Sequence, residues 1–209
     1  MVALFHFPES DVNRPDDVVV GYHGTRGTTA HTILAEQRIV VKPHSYDWLG
    51  PGAYFWEEYI DRAWRWACDR EAARAAREGD SYEPVGVVRG EIRLGTCVDF
   101  GELQFKQLLQ EADEELVRQH AAARLDLPLN NGAFHRYDCA VVDLLCTGMD
   151  VPIDTVRAIF PEGQTLNPRT SLLTNSHLHL CVRNPAVIRK LELVDVVSWE
   201  EARRRGGIL

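Results

Sequence analysis

Two short stretches carry residue types that chemistry can use. The first is Gly21-Tyr22-His23-Gly24-Thr25-Arg26. An imidazole there offers a donor and an acceptor at neutral pH, and its glycine neighbours let a ligand approach the backbone closely. Taken alone, a histidine at a strand end serves structure at least as well. The second stretch is Leu49-Gly50-Pro51-Gly52-Ala53-Tyr54-Phe55-Trp56, with Trp64 and Trp66 further on. It suits a tight turn feeding an aromatic core, and equally a flat slot walled by rings for a planar ligand.

Together the stretches resemble the ADP-ribosyltransferase superfamily, on its poly(ADP-ribose) polymerase and diphtheria-toxin side. In that group a strand ends in His-Gly-Ser/Thr, a helix with an Ile-Leu-type pair follows, and Gly-x-Gly-Ile-Tyr-Phe comes later. Here the series is His23-Gly24-Thr25-Arg26-Gly27-Thr28-Thr29, then Ile33-Leu34, then Gly50-Pro51-Gly52-Ala53-Tyr54-Phe55. The likeness is strongest over residues 20–68 and thins to one late strand beyond them. It implies an α+β fold, a split antiparallel β-sheet flanked by helices, in a single domain over residues 1–209. It also implies NAD⁺ as substrate, with no metal. His23 would hydrogen-bond the ribose on the nicotinamide side, the Gly24 backbone would clamp the carboxamide, and Tyr54 would stack on the ring. Trp66 or Trp64 would supply a second ring wall. Thr25 and Arg26 would lie near the adenosine or diphosphate, and the loop over residues 42–49 would fold over the dinucleotide with Tyr46 and Trp48 as lid contacts.

The chemistry so implied makes clear demands. Breaking the nicotinamide–ribose bond develops positive charge on the sugar, so the protein must orient the leaving ring and stabilise that charge. Orientation alone supplies up to ~7–11 kcal/mol in ideal cases.

The chain departs from the family at its third catalytic position. A glutamate is expected on a late strand, but the segment here is Ser176-His177-Leu178-His179-Leu180-Cys181-Val182, with His179 at the glutamate's place. Alternation puts His177, His179 and Cys181 on one strand face. A neutral imidazole can bond a ribose hydroxyl but brings no negative charge. Glu162, in Phe160-Pro161-Glu162-Gly163, is the candidate substitute acid; its other reading is a solvated turn residue. In the superfamily, loss of the glutamate goes with single ADP-ribose transfer or with inactivity. The expectation is therefore a mono-ADP-ribosyltransferase acting on a macromolecular acceptor, protein or nucleic acid. A silent NAD⁺- or ADP-ribose-binding module and an NAD glycohydrolase are the alternatives. By analogy alone, a toxin or phage-defence role would bring an antitoxin or inhibitor partner. Asp138 is expected as a helix cap or the partner of an arginine. Arg157 is expected to pair with an acid in the core rather than to face phosphates.

The elements that must position these residues follow from pattern. Strands are expected over residues 17–22, 39–41, 53–56, 85–94, 156–160, 178–182 and 191–197. Helices are expected over residues 28–37, 57–78 and 102–125. Residues 137–145 read as a buried helix, with 140–142 as an alternative strand, and Gly206-Gly207 as a frayed end. Short scattered strands between helices point to a mixed α/β fold rather than a regular βαβ array.

Composition sets the frame. The 209 residues suit one domain, and 45% hydrophobic with 26% charged residues is an ordinary globular mixture. No apolar run approaches the ~20 residues of a bilayer span, and residues 1–6 lack the pattern of a signal peptide. A net charge of −8 argues against general salt-driven binding to nucleic acid. Five scattered cysteines without a CxxC pair read as free buried thiols in a reducing cytoplasm.

Overall fold

The computed structural model describes residues 3–8, 16–41, 44–45, 47–132 and 134–207. In chain order the elements are β1 (Val18–Arg26), α1 (Gly27–Glu36), β2 (Ala53–Glu57), α2 (Ile60–Glu78), β3 (Val85–Arg93) and β4 (Cys97–Asp99). Then come α3 (Leu103–Ala123), the small hairpin β5 (Asn130–Asn131) and β6 (Phe134–His135), α4 (Arg136–Gly148), β7 (Thr155–Phe160) and β8 (His177–Val182). A 3₁₀ turn, Pro185–Val187, leads to β9 (Ile188–Val197) and α5 (Trp199–Arg205).

Seven strands form one sheet in the order β4-β7-β8-β2-β1-β3-β9. Every neighbouring pair is antiparallel except β4 and β7. The fold is thus mixed α/β, a mostly antiparallel sheet flanked by helices. The join between β1 and β2 is the weak seam. All of β1 pairs with β3, from Val18↔Arg93 to Arg26↔Val85, whereas β1 meets β2 only at Gly21↔Glu57 and Tyr22↔Trp56. Beyond Tyr22 the ladder with β2 stops, and β1 runs on through His23 and Gly24.

Alternation along the strands divides the core. Phe55, Val88, Ile92, Leu180 and Val182 pack under α1, together with Ala30 and Ile33. On the opposite face Trp56, Val85 and Val87 meet Trp64, Ala67 and Cys68 of α2. Further along that face Val156, Ala158 and Cys181 lie under α3 and α4 with Phe105, Leu116, Val142 and Leu145. Gly24 lets α2 approach β1: a Cβ there would stand 1.9 Å from the Ala63 carbonyl oxygen. All five cysteines are buried and free.

Several expected boundaries move, each for a physical reason. Residues 38–41 form no strand: Gln37 closes α1 in the left-handed region at φ 48°, and Ile39 is buried in the α1 cluster without a ladder partner. The helix expected from residue 57 starts at Ile60, because Glu57 stays in β2, bound by both guanidinium nitrogens Nε and Nη2 of Arg157 at 2.7 and 2.6 Å. Arg157 also reaches Asp99 at 3.0 Å, so it is the core pairing residue that its position suggested. Residues 137–145 are helical, within α4. Among the described residues Asp138 makes no capping bond and meets no arginine; from the first turn of α4 it holds Asn130 at 2.9 Å and His135 at 3.1 Å. Gly206 is buried, closes α5 through its N–H to Ala202 and packs on Arg65, so it is held, whereas Gly207 is exposed.

Candidate functional site

His23 stands where β1 parts from β2. Its Nδ1 lies 2.9 Å from the Tyr54 carbonyl oxygen, across the opening. A carbonyl only accepts, so Nδ1 carries the hydrogen and Nε2 presents a lone pair. Burial lowers the imidazole pKa, with the Tyr54 bond opposing, and favours the neutral ring.

Tyr54 is held by its own turn. The phenol accepts from the Leu49 N–H at 2.8 Å and donates to the Gly50 carbonyl at 2.9 Å. Gly50 sits at φ +79°, a conformation that a side chain would strain. The glycine-paired loop is therefore a closed turn that fixes the ring of the residue following it. Burial drives the phenol pKa far above its ordinary value, so the hydroxyl stays protonated.

On the other side of β2, strand β8 brings two more rings, His177 and His179. The register places His179 opposite Trp56 and Cys181 opposite Tyr54. The His179 ring centroid lies 4.9 Å from Trp56, 5.5 Å from Tyr54 and 4.7 Å from His177. Phe160 lies 5.5 Å from His177 and 4.7 Å from Trp48. The Trp48 indole N–H donates to His179 Nδ1 at 3.1 Å. That bond makes Nδ1 the acceptor and leaves the ring hydrogen on Nε2. His177 is the other tautomer: its Nδ1 meets the Asn175 carbonyl at 2.9 Å, so its Nε2 is an acceptor.

Three buried nitrogens of this ring cluster, Trp56 Nε1, His177 Nε2 and His179 Nε2, have no hydrogen-bond partner among the described residues. Buried polar groups are nearly always satisfied, so such a set asks for a ligand or water. Two are donors and one is an acceptor. The complement is a hydroxyl or a pair of hydroxyls, which accept and donate together; a carboxylate or phosphate would set its charge against the His177 lone pair.

Burial lowers the pKa of His177 and takes that of His179 well below its ordinary 6.5. The two rings and His23 are thus neutral in the folded chain, while in the unfolded chain each takes a proton near pH 6.5. The unfolded state binds more protons below that pH, so stability rises with pH there and is fully present above it. Denaturation between pH 7 and 5 is expected to lose stability as pH falls, by up to ~1.4 kcal/mol per pH unit for each ring. A flat profile would mean that these rings are hydrated and free to charge.

The remaining sequence candidates divide. Glu162 is beside the cluster, 3.8 Å from His177 Nδ1, but it is ion-paired to Arg62 of α2. Trp64 is 2% exposed and belongs to the core under α2, whereas Trp66 is 46% exposed with its ring 5.7 Å from Trp56. Of the two, Trp66 is the one available to a ligand. Gly24 and Thr25 continue β1 opposite Val87 and Gly86 of β3. Arg26 is ion-paired to Glu83 and lies 3.9 Å from Glu71. Tyr46 lies outside the described residues. Arg62 was not among the sequence candidates; Trp56 stood in the aromatic stretch without a role of its own, and His177 only as a neighbour of His179 on one strand face, and the β2–β8 register brings the two together with His179. Among the described residues no group of three or more His, Cys, Asp or Glu is placed to hold a metal ion, and no helix is long and apolar enough to cross a membrane.

Strands β1, β2 and β8 thus define a mixed α/β protein whose sheet opens at His23 and carries a cluster of neutral rings beside the opening. No family model matches the chain. An uncharacterized protein of Methanocaldococcus jannaschii is 27% identical over 195 residues, covering 84% of this chain and 86% of that protein.

Proposed function

We propose that this protein is an NAD⁺-dependent mono-ADP-ribosyltransferase that releases nicotinamide and passes ADP-ribose to a macromolecular acceptor. The observation that carries the reading is that the three motif positions lie on neighbouring strands, with His23 on the face that holds Phe55 and with Tyr54 and His179 on the face that holds Trp56. His23, Tyr54 and His179 are far apart in sequence, yet they sit on the adjacent strands β1, β2 and β8. His23 is bonded to the Tyr54 backbone, and the Tyr54 ring touches His179. Neutral donors and an acceptor at Trp56, His177 and His179 suit the hydroxyls of a ribose. Trp66 stands beside them as a ring wall for the nicotinamide. A mostly antiparallel sheet that opens along β1 and β2 is compatible with the split sheet expected of the superfamily.

A second reading, a module that binds NAD⁺ or ADP-ribose without turning it over, is favoured by one specific observation. Among the described residues no carboxylate replaces the family glutamate inside the ring cluster, and Glu162, 3.8 Å from His177, already neutralises Arg62. Calorimetric titration with NAD⁺ tests binding for both readings. Trp66→Ala is expected to weaken binding roughly tenfold, in line with the ~1–3 kcal/mol of an aromatic stacking contact, with little change in thermal stability. Trp64→Ala is expected to cost about 3–5 kcal/mol of stability instead. Unchanged NAD⁺ affinity in Trp66→Ala would remove the ring wall from the account. Absence of any NAD⁺ binding in the parent protein would reject both readings.

A further inference from the structure

We propose that the cleft between α3 and α4 is a binding site for a small, planar heteroaromatic ligand that is not an anion and carries a ring N–H. The cleft has a volume of about 430 Å³, within the range of small-molecule sites. One helical stripe of α3 lines it, Lys106, Leu109, Gln110 and Asp113, at the spacing that puts side chains on one face. From α4 come Tyr137, Val141 and Val142, and Trp48, Leu49 and Phe100 close the floor. The lining is three aromatic rings and four aliphatic side chains, with polar groups at the mouth.

The polar groups define the ligand's edge. Tyr137 donates its phenol hydrogen to Asp113, which pushes the Tyr137 pKa up to about 12 and spends its only hydrogen there. Asp138 uses both oxygens, one on Asn130 and one on His135. Asp113 engages only one oxygen, with Tyr137, and its other oxygen has no hydrogen-bond partner among the described residues, so Asp113 is the acceptor offered to the cleft. Two carboxylates against the single Lys106 ammonium disfavour an anion. The apolar floor disfavours a sugar. A flat ring fills such a space with contacts and turns an N–H towards Asp113. The cleft meets the His23–His179 site through Trp48, whose N–H holds His179, and Leu49, whose N–H holds the Tyr54 phenol. Its lining from α3 and α4 is separate from the NAD⁺ reading, which uses none of those residues.

The test uses indole as probe and the intact, ¹⁵N-labelled protein. The chain has five tryptophans, and Trp48→Phe assigns the Trp48 indole signal by its loss. Indole is expected to shift that signal saturably. Benzofuran, of the same shape without the N–H, is expected to bind at least fivefold more weakly. Asp113→Ala should erase that difference. Gln110→Phe, a plug at the exposed mouth that leaves the core alone, should abolish the shift, whereas His23→Ala should leave it unchanged. No saturable shift, a shift that survives Gln110→Phe, or equal affinity for indole and benzofuran would overturn the proposal.

Discussion

His23→Ala is expected to lower the kcat/KM of nicotinamide release by roughly 10²–10³-fold, the usual cost of removing one positioned group from a charge-stabilising site. The imidazole occupies the seam where β1 and β2 separate, with Nδ1 committed to the Tyr54 carbonyl and Nε2 open to a ligand hydroxyl. Losing it removes one hydrogen bond from the seam, worth about 1 kcal/mol, so the melting temperature should fall only by a few degrees. Large loss of turnover with small loss of stability is the signature of a site residue. If turnover and stability fell in step, His23 would be a latch of the sheet and nothing more.

The second large effect concerns the fold. Glu71 is 1% exposed inside α2, and its carboxylate takes Arg74 Nη2 at 2.6 Å, Arg74 Nε at 3.0 and 3.1 Å and the Glu83 N–H at 2.7 Å. The hydrogen bonds from Arg74 outweigh burial and hold the Glu71 pKa low. The group ties α2 to the segment that leads into β3, and Arg26 at the end of β1 lies beside it. Glu71→Ala leaves the Arg74 guanidinium buried with its best partner gone. Breaking such a pair costs about 3–5 kcal/mol, or on the order of 10 °C in melting temperature for a domain of this size. A measured loss below about 1 kcal/mol would show that Glu78 and Asp80, also bonded to Arg74, carry the charge unaided.

The parts of this structure legible in the sequence are those governed by local pattern. The β-branched run at Val18-Val19-Val20 marks β1, the alanine- and arginine-rich stretch marks α2, and alternation places His177, His179 and Cys181 on one face of β8. Local pattern failed where a distant partner decides. Ile39 and Val40 have strand-like side chains but no strand to pair with. Glu57 looks like the start of a helix, yet Arg157, a hundred residues on, holds it in β2. The ring cluster depends on the β2–β8 register, which no local signal encodes, so the place of Trp56 beside His179 was out of reach. The same holds for the Arg62–Glu162 pair, which turns a candidate acid into half of an ion pair. The α3–α4 cleft needs two helices to be laid side by side before it exists.

The most direct test of the central claim is incubation of the purified protein with NAD⁺ labelled on the adenine side, with and without cell lysate, following nicotinamide release and label transfer together. The account predicts nicotinamide release with label on a macromolecule, both lost in His23→Ala. NAD⁺ that stays intact in every mixture would contradict it.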